Sequence, residues 1–319
     1  MGNFPDVALE SLLMIDERLT SCVCTQAQLE SEVFRKWITR IREPFKLYRK
    51  LWEFAYIAQA LHERGMLEPG KRGLGFAVGR EPLPALFASY GCEIVATDME
   101  EVEARDQGWV ETGQHAASLH DLNEQGICDP DVFRRQVTFR CVDMNRIPHD
   151  LRGFDFCWSS CAFEHLGSLA RGRRFLYNMT RCLGPGGVAV HTTEYNVTSN
   201  DHTIDHNPWC VLFRKRYIEE IARGLTARAH RIDVDFRLGD GEADQYVDLE
   251  PFTNKNPYTH LKLKIDDYVS TSIGLIVEVG SPPLRYRVLD WSVERLRAAR
   301  RQARTVYSLV MPGASRQPG

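Results

Sequence analysis

The chain has 319 residues and a mass of 36.5 kDa, long enough to bury a large core, and its apolar and charged fractions are those of a globular protein. A formal net charge of −3 and a sequence pI of about 6.4 give no overall electrostatic drive toward nucleic acid or an anionic membrane. The expected partner is a small molecule.

From Met1 onward the apolar positions are broken by Asp6, Glu10, Asp16 and Glu17, which predicts no secretory leader. Phe34, Trp37, Ile38 and Ile41, then Phe45, Tyr48, Leu51, Trp52 and Ala55, recur at helical spacing, with Pro44 separating two helices. The rhythm then changes. Gly73 to Val78 reads as a strand, Pro84 to Tyr90 as a helix and Glu93 to Thr97 as a second strand, which together make a βαβ unit. Val137 to Val142 and Phe154 to Ser160 read as strands, and Leu176, Met179 and Leu183 mark a helix that ends at Gly184-Pro185-Gly186-Gly187. Val188 to Thr193 is a further strand, Tyr217 to Leu225 a helix, and Ser272 to Val279 a late strand suited to a sheet edge. From Ser292 an arginine-rich amphipathic helix is expected, its charges read as a solvated face, followed by a tail of small residues.

Alternating strands and helices predict an α/β fold, Rossmann-like and doubly wound, with a mostly parallel seven-stranded sheet and helices on both faces. The expected division is an N-terminal helical extension or cap at 1–70, a ligand-binding domain at 71–285, and a C-terminal amphipathic helix with a flexible tail at 286–319. No stretch has the roughly 20 continuous apolar residues of a membrane span. The nine cysteines lack zinc-ligand spacing, and Cys22 and Cys24 are too close for a Cys-x-x-Cys pair; Cys141 and Cys157 sit in apolar strands, where a thiol acts as a small hydrophobe. Reduced thiols and a cytoplasmic setting follow as expectations.

The glycines of Gly73-Leu74-Gly75-Phe76-Ala77-Val78-Gly79 end a strand, where a ligand can approach backbone without meeting a Cβ. Asp98 follows the next strand, placed to accept both hydroxyls of a ribose. With Val142-Asp143-Met144, Phe154-Asp155-Phe156-Cys157-Trp158-Ser159-Ser160 and Leu183-Gly184-Pro185-Gly186-Gly187 in order behind them, the stretch from Lys71 to Asn196 resembles class I S-adenosylmethionine-dependent methyltransferases. The resemblance implies S-adenosylmethionine as cofactor. It implies that the loop from Gly75 through Ala77 to Gly79 passes under the methionine and ribose, that Asp98 with Met99 binds ribose, that Asp143 and Met144 bracket adenine, and that Ser159 and Ser160 line the pocket. Two positions depart from the family pattern: Gly73 stands where an acidic residue is usual, and Ala77 where the loop has a glycine. Glu81 is the substitute carboxylate for the methionine ammonium.

Methyl transfer from a sulfonium needs alignment and exclusion of water, and an alcohol or amine acceptor also needs a base. Candidates at the C-terminal sheet edge are His165 and Glu164 after the fourth strand, and His191 and Glu194 in and after the fifth. His165 leads, because imidazole ordinarily titrates near neutrality. Each has a structural alternative, His191 as a core histidine and Glu164 as a first-turn helix carboxylate. The loop carrying Asp201, His202, Asp205 and His206 is read as polar rather than as a metal site, so no metal is expected. The runs Ser159 to Leu166 and His191 to Asn196 resemble bacterial methyltransferases found with glycan and secondary-metabolite pathways, which implies a sugar or natural-product acceptor. Three other readings remain: a dinucleotide-binding dehydrogenase, intramolecular displacement within S-adenosylmethionine that releases methylthioadenosine, and a catalytically inactive scaffold.

Overall fold

The computed structural model describes residues 18–250, 252 and 259–281, apart from 107, 112 and 117. The expected C-terminal helix at 286–319 lies outside them. The chain opens with a short strand, β1 (Ser21–Val23), and three helices, α1 (Gln26–Glu30), α2 (Glu32–Arg40) and α3 (Arg49–His62). Thr25 and Ser31 cap the first two, their hydroxyls accepting from Gln28 N and Phe34 N. Pro44 falls between α2 and α3, where its ring disfavours continued helix.

The α/β alternation follows: β2 (Arg72–Gly75), α4 (Leu83–Ser89), β3 (Glu93–Asp98), α5 (Glu101–Asp106), α6 (Pro130–Gln136), β4 (Val137–Cys141), β5 (Phe154–Ser160), α7 (Leu169–Met179) and β6 (Leu183–Asn196). The chain continues through α8 (Lys215–Thr226), β7 (Val234–Asp235), α9 (Glu242–Gln245), β8 (Lys262–Ile265) and β9 (Tyr268–Glu278). The sheet order is β4-β3-β2-β5-β6-β9-β1-β7, with β8 paired to β9. Strands β4, β3, β2, β5 and β6 run parallel, whereas β9 is antiparallel to β6, β1 and β8. This is a Rossmann-like doubly wound sheet with helices on both faces.

Two expectations are corrected. The sheet has nine strands among the described residues, not seven, and three of them, β1 and β7 at one end and β8 on β9, fall outside the strands read from the sequence. The late strand is interior rather than an edge, since Cys22 and Val23 pair with its outer side. Its mostly buried sequence fits that place.

Period two on β5 divides the core. Phe156 and Trp158 face the layer of α1 to α4 and α6, while Cys157 faces α7 and α8. Cys157 is buried as expected; Cys141, on the edge strand β4, is exposed. Gly73 has no room for a side chain, since a Cβ there would lie 2.4 Å from Phe156 Cζ and 2.8 Å from Ile94 Cδ1. A carboxylate at that position is excluded by packing.

Candidate active site

The chain leaves β2 toward β3 and β4 on one side, then returns through β5 to β6 on the other. That reversal opens a crevice at the C-terminal ends of β2 and β5, where ligands bind in doubly wound sheets. A cavity of about 510 Å³ lies there, a usual size for a small-molecule site. It gathers Ala77, Gly79, Glu81, Asp98, Met99, Asp143, Met144, Ser160 and His165. Gly75, Ser159, Glu164, His191 and Glu194 are not on its wall.

The loop after β2 is held from below by Thr97, whose hydroxyl donates to Gly75 O at 2.7 Å, and by Val78 N on Thr97 O at 3.0 Å. Ala77 has φ +47° and Gly79 φ +51°. The left-handed region costs a residue with a Cβ about 1–2 kcal/mol, so Ala77 holds strain that the usual glycine would not. Gly75 is packed: a Cβ would meet Val78 Cγ1 at 2.4 Å and Trp158 Cζ2 at 2.5 Å.

Asp98 ends β3 with its carboxylate fixed in place. Oδ2 accepts from Gly79 N at 3.0 Å and Oδ1 from Met99 N at 2.8 Å, while His115 Nδ1 lies 3.5 Å away. Burial raises its pKa against the pull of these donors. Glu81 enters the cavity from just beyond the loop, its Oε1 accepting from Trp158 Nε1 at 2.5 Å. Burial pushes its carboxyl up to about 8, opposed by that hydrogen bond. Asp143 accepts from Asn145 N at 2.8 Å and caps the short turn Met144–Arg146, which sets Met144 against the cavity.

Near the end of β5 the two serines part. Ser159 Oγ lies 2.8 Å from His191 Nδ1 on the α7 side, where His191 packs edge-on to Phe175 and Phe163. Burial drops His191 to about 3, so it is a neutral core imidazole. Ser160 faces the cavity and donates to Glu53 Oε2 at 2.8 Å. Glu194 pairs with Arg49 and accepts from Ser270 Oγ at 2.6 Å. Glu164 is fully buried: Oε2 accepts from Thr193 Oγ1 at 3.0 Å, and Oε1 has no hydrogen-bond partner but lies 3.9 Å from His165 Nε2. Burial raises its pKa. His165 presents Nδ1 to the carbonyl of Trp209 and packs its ring edge-on against Trp109. A carbonyl only accepts, so in the neutral ring Nδ1 carries the proton and Nε2 the lone pair.

Sequence reasoning missed the charged side of α3. Glu53 is fully buried and receives Ser160 Oγ, Cys161 Sγ at 2.9 Å, Ser272 Oγ at 2.5 Å and Lys50 Nζ at 2.9 Å, with Arg49 3.7 Å away. Burial alone would raise it, but Lys50 and Arg49 bring it down to about 2. Its signal in the sequence was a carboxylate among Leu51, Trp52, Ala55 and Tyr56, with basic residues three and four positions earlier. The loop after β6 holds no comparable cluster. Asp201 pairs with Arg216 at 3.1 Å and Asp205 with His206 at 3.2 Å, all exposed.

Residues 74–191 match the family model of a methyltransferase domain. Over that stretch the chain carries a methyltransferase domain, of the S-adenosylmethionine-dependent kind that its sequence resembles. Solved structures resemble it distantly. An arsenic(III) S-adenosylmethionine methyltransferase from Chlamydomonas reinhardtii has 14% identity over 66% of this chain and 64% of that one, with a TM-score of 0.41. A Haemonchus contortus phosphoethanolamine N-methyltransferase 2, in complex with phosphomonomethylethanolamine and S-adenosylhomocysteine, has 19% identity over 51% and 35%, with a TM-score of 0.36. The chain spans about half or less of the first solved structures it matches, 47%, 35% and 54% of their lengths. No curated protein sequence matches it. A methyltransferase domain of this kind uses S-adenosylmethionine, and the cavity offers such a cofactor two carboxyl groups, at Asp98 and Glu81, where Gly73 offers none. No helix among the described residues is long and apolar enough to cross a membrane.

Proposed function

We propose that this methyltransferase methylates a hydroxyl on a small polar molecule, a sugar or secondary-metabolite scaffold, with His165 as proton acceptor. The observation that carries the reading is His165 itself: it lines the cavity, and the Trp209 carbonyl leaves Nε2 as the basic nitrogen. Bound S-adenosylmethionine supplies a methyl carbon already activated by sulfonium. The protein's part is to orient the acceptor, exclude water and take its proton. Buried Glu164, with Oε1 3.9 Å from Nε2, can steady the imidazolium that forms. In this reading the loop from Gly75 to Gly79 underlies the methionine and ribose, Asp98 binds ribose, and Asp143 and Met144 bracket adenine.

Tyr48, Lys50 and Phe54 bring α3 and its approach to the cavity wall, which supports a capping role for the helices of 1–70 over a cofactor domain at 71–285. A cytoplasmic setting is part of the same reading, supported by nine cysteines that are all free thiols. The test is incubation with S-adenosylmethionine and fractionated small molecules, followed by mass spectrometry. A product heavier by one methyl and an equal yield of S-adenosylhomocysteine support it. Methylthioadenosine as the sole nucleoside product refutes it.

A further inference from the structure

The cavity wall carries one amine and one carboxyl at positions that the family pattern does not supply. Glu81 projects from beyond the glycine loop and Lys50 from the first turn of α3, and both are on the cavity wall. Lys50 Nζ is held by Glu53 at 2.9 Å, but its contacts with Ser160 O and Oγ are both 3.4 Å, long enough to give way to a ligand carboxylate. Glu81 has one oxygen on the Trp158 indole; a carboxylate has further lone pairs to offer.

We infer that Lys50 and Glu81 form a clamp for the α-amino acid end of S-adenosylmethionine and its product, Lys50 binding the carboxylate and Glu81 the ammonium. The inference rests on the cofactor assignment and adds the groups that read the methionine end. It follows from the packing, since Phe156 and Ile94 fill the space beside Gly73 and any carboxylate must reach the site from elsewhere. Glu53 is then a positioning residue, anchoring Lys50 from behind.

The charged groups facing Glu81 are Lys50 and Glu53 from α3 and Asp98 from the end of β3, with Trp158 of β5 as hydrogen-bond donor. Burial outweighs the Lys50 charge and keeps Glu81 protonated at neutral pH in the free protein. An arriving ammonium reverses this. The carboxylic acid of Glu81 loses its proton to solvent and the carboxylate pairs with the ligand cation, so binding at pH 7 releases close to one proton. Affinity for an amine-bearing ligand rises with pH up to about 8 and then levels.

The experiment is calorimetric titration of the full chain with S-adenosylhomocysteine, its decarboxylated analogue and methylthioadenosine, in buffers of different ionisation enthalpy. Expected for E81Q is a loss of about 10- to 100-fold in S-adenosylhomocysteine affinity, unchanged methylthioadenosine affinity and no proton release. K50M should bind S-adenosylhomocysteine no better than the decarboxylated analogue, and K50R should restore the difference. K50Q repeats the test with a milder change beside Glu53. Equal losses for methylthioadenosine, or proton release that persists in E81Q, overturn the clamp. Failure of the unmutated protein to bind S-adenosylhomocysteine overturns the cofactor assignment with it.

Discussion

Trp158 Nε1 donates to Glu81 Oε1 at 2.5 Å, while the same ring occupies the space beside Gly75. One side chain of β5 therefore shapes the loop after β2 and orients the carboxyl that enters the cavity. Phe87 packs edge-on against the ring with centroids 4.9 Å apart, which fixes the direction of its N–H. The packing that removes a carboxylate from position 73 and the hydrogen bond that provides one at position 81 both come from aromatic residues of β5.

Trp158→Phe should cost stability. It leaves a buried Glu81 oxygen without its donor, a loss of about 1 to 3 kcal/mol, to which a smaller ring adds a cavity. The pH dependence has a defined sign. A carboxyl raised from 4.5 to about 8 stays protonated in the folded protein while the unfolded chain ionises, so stability of the free protein falls as pH rises across that window. The hydrogen bond pulls Glu81 down, so in Trp158→Phe the fall should continue to higher pH. Urea midpoints between pH 5 and about 9 measure both effects.

Glu53 makes the opposite prediction. Its folded pKa is depressed from 4.5 to about 2, so it stabilises the fold above 4.5 and the contribution drains away as pH falls toward 2. The full contribution is about 3 kcal/mol. Glu53→Gln should lose about 3 to 5 kcal/mol at neutral pH, because Arg49 and Lys50 are left near a neutral group. Its stability should also be flatter in acid than that of the unmutated protein. Acid titration followed by circular dichroism checks it, and an unchanged acid midpoint refutes the role.

The parallel half of the sheet was legible because each strand there is an apolar run ending in a turn, which sets Gly79, Asp98, Met144 and Ser160 at one edge. Strand parity was legible too. Neighbouring residues face opposite sides, so Ser159 and Ser160 do not both line one pocket, and Ser159 instead meets His191 in the α7 layer. The helical spacing signalled Glu53 with Arg49 and Lys50 on a buried face, but not that Ser160 of β5, Ser272 of β9 and the Cys161 thiol just after β5 converge on it. The interior place of β9 depends on a three-residue strand, too short to announce itself. Ala77 was noted as a departure, yet its positive φ is visible only in coordinates.

Asp98→Ala should weaken S-adenosylhomocysteine binding by about 2 to 4 kcal/mol, the value of two charge-assisted hydrogen bonds to ribose hydroxyls. The structure adds a second contribution, because Asp98 also holds Gly79 N and Met99 N and so sets the loop. Methylthioadenosine retains the ribose and should lose affinity in parallel, unlike its behaviour with Glu81→Gln. Unchanged calorimetric affinity in a folded variant refutes the ribose contact.

His165 is the last residue to test, and its surroundings make the test specific. The Trp209 carbonyl and the Trp109 ring hold the imidazole, and Glu164 lies buried beside Nε2. If Nε2 takes the acceptor's proton, His165→Ala should lower kcat by a factor of about 10² to 10⁴, with S-adenosylhomocysteine affinity near the original value. A structural role alone would reduce binding and stability together. The base reading also demands that the acidic limb of the kcat profile disappear in His165→Ala, since protonating the imidazole is what shuts the reaction down. Glu164→Gln keeps the shape but replaces the carboxyl beside Nε2, so it should reduce kcat less than loss of the ring. Full activity in His165→Ala with an unaltered pH profile would show that the acceptor gives up its proton without help from this side chain.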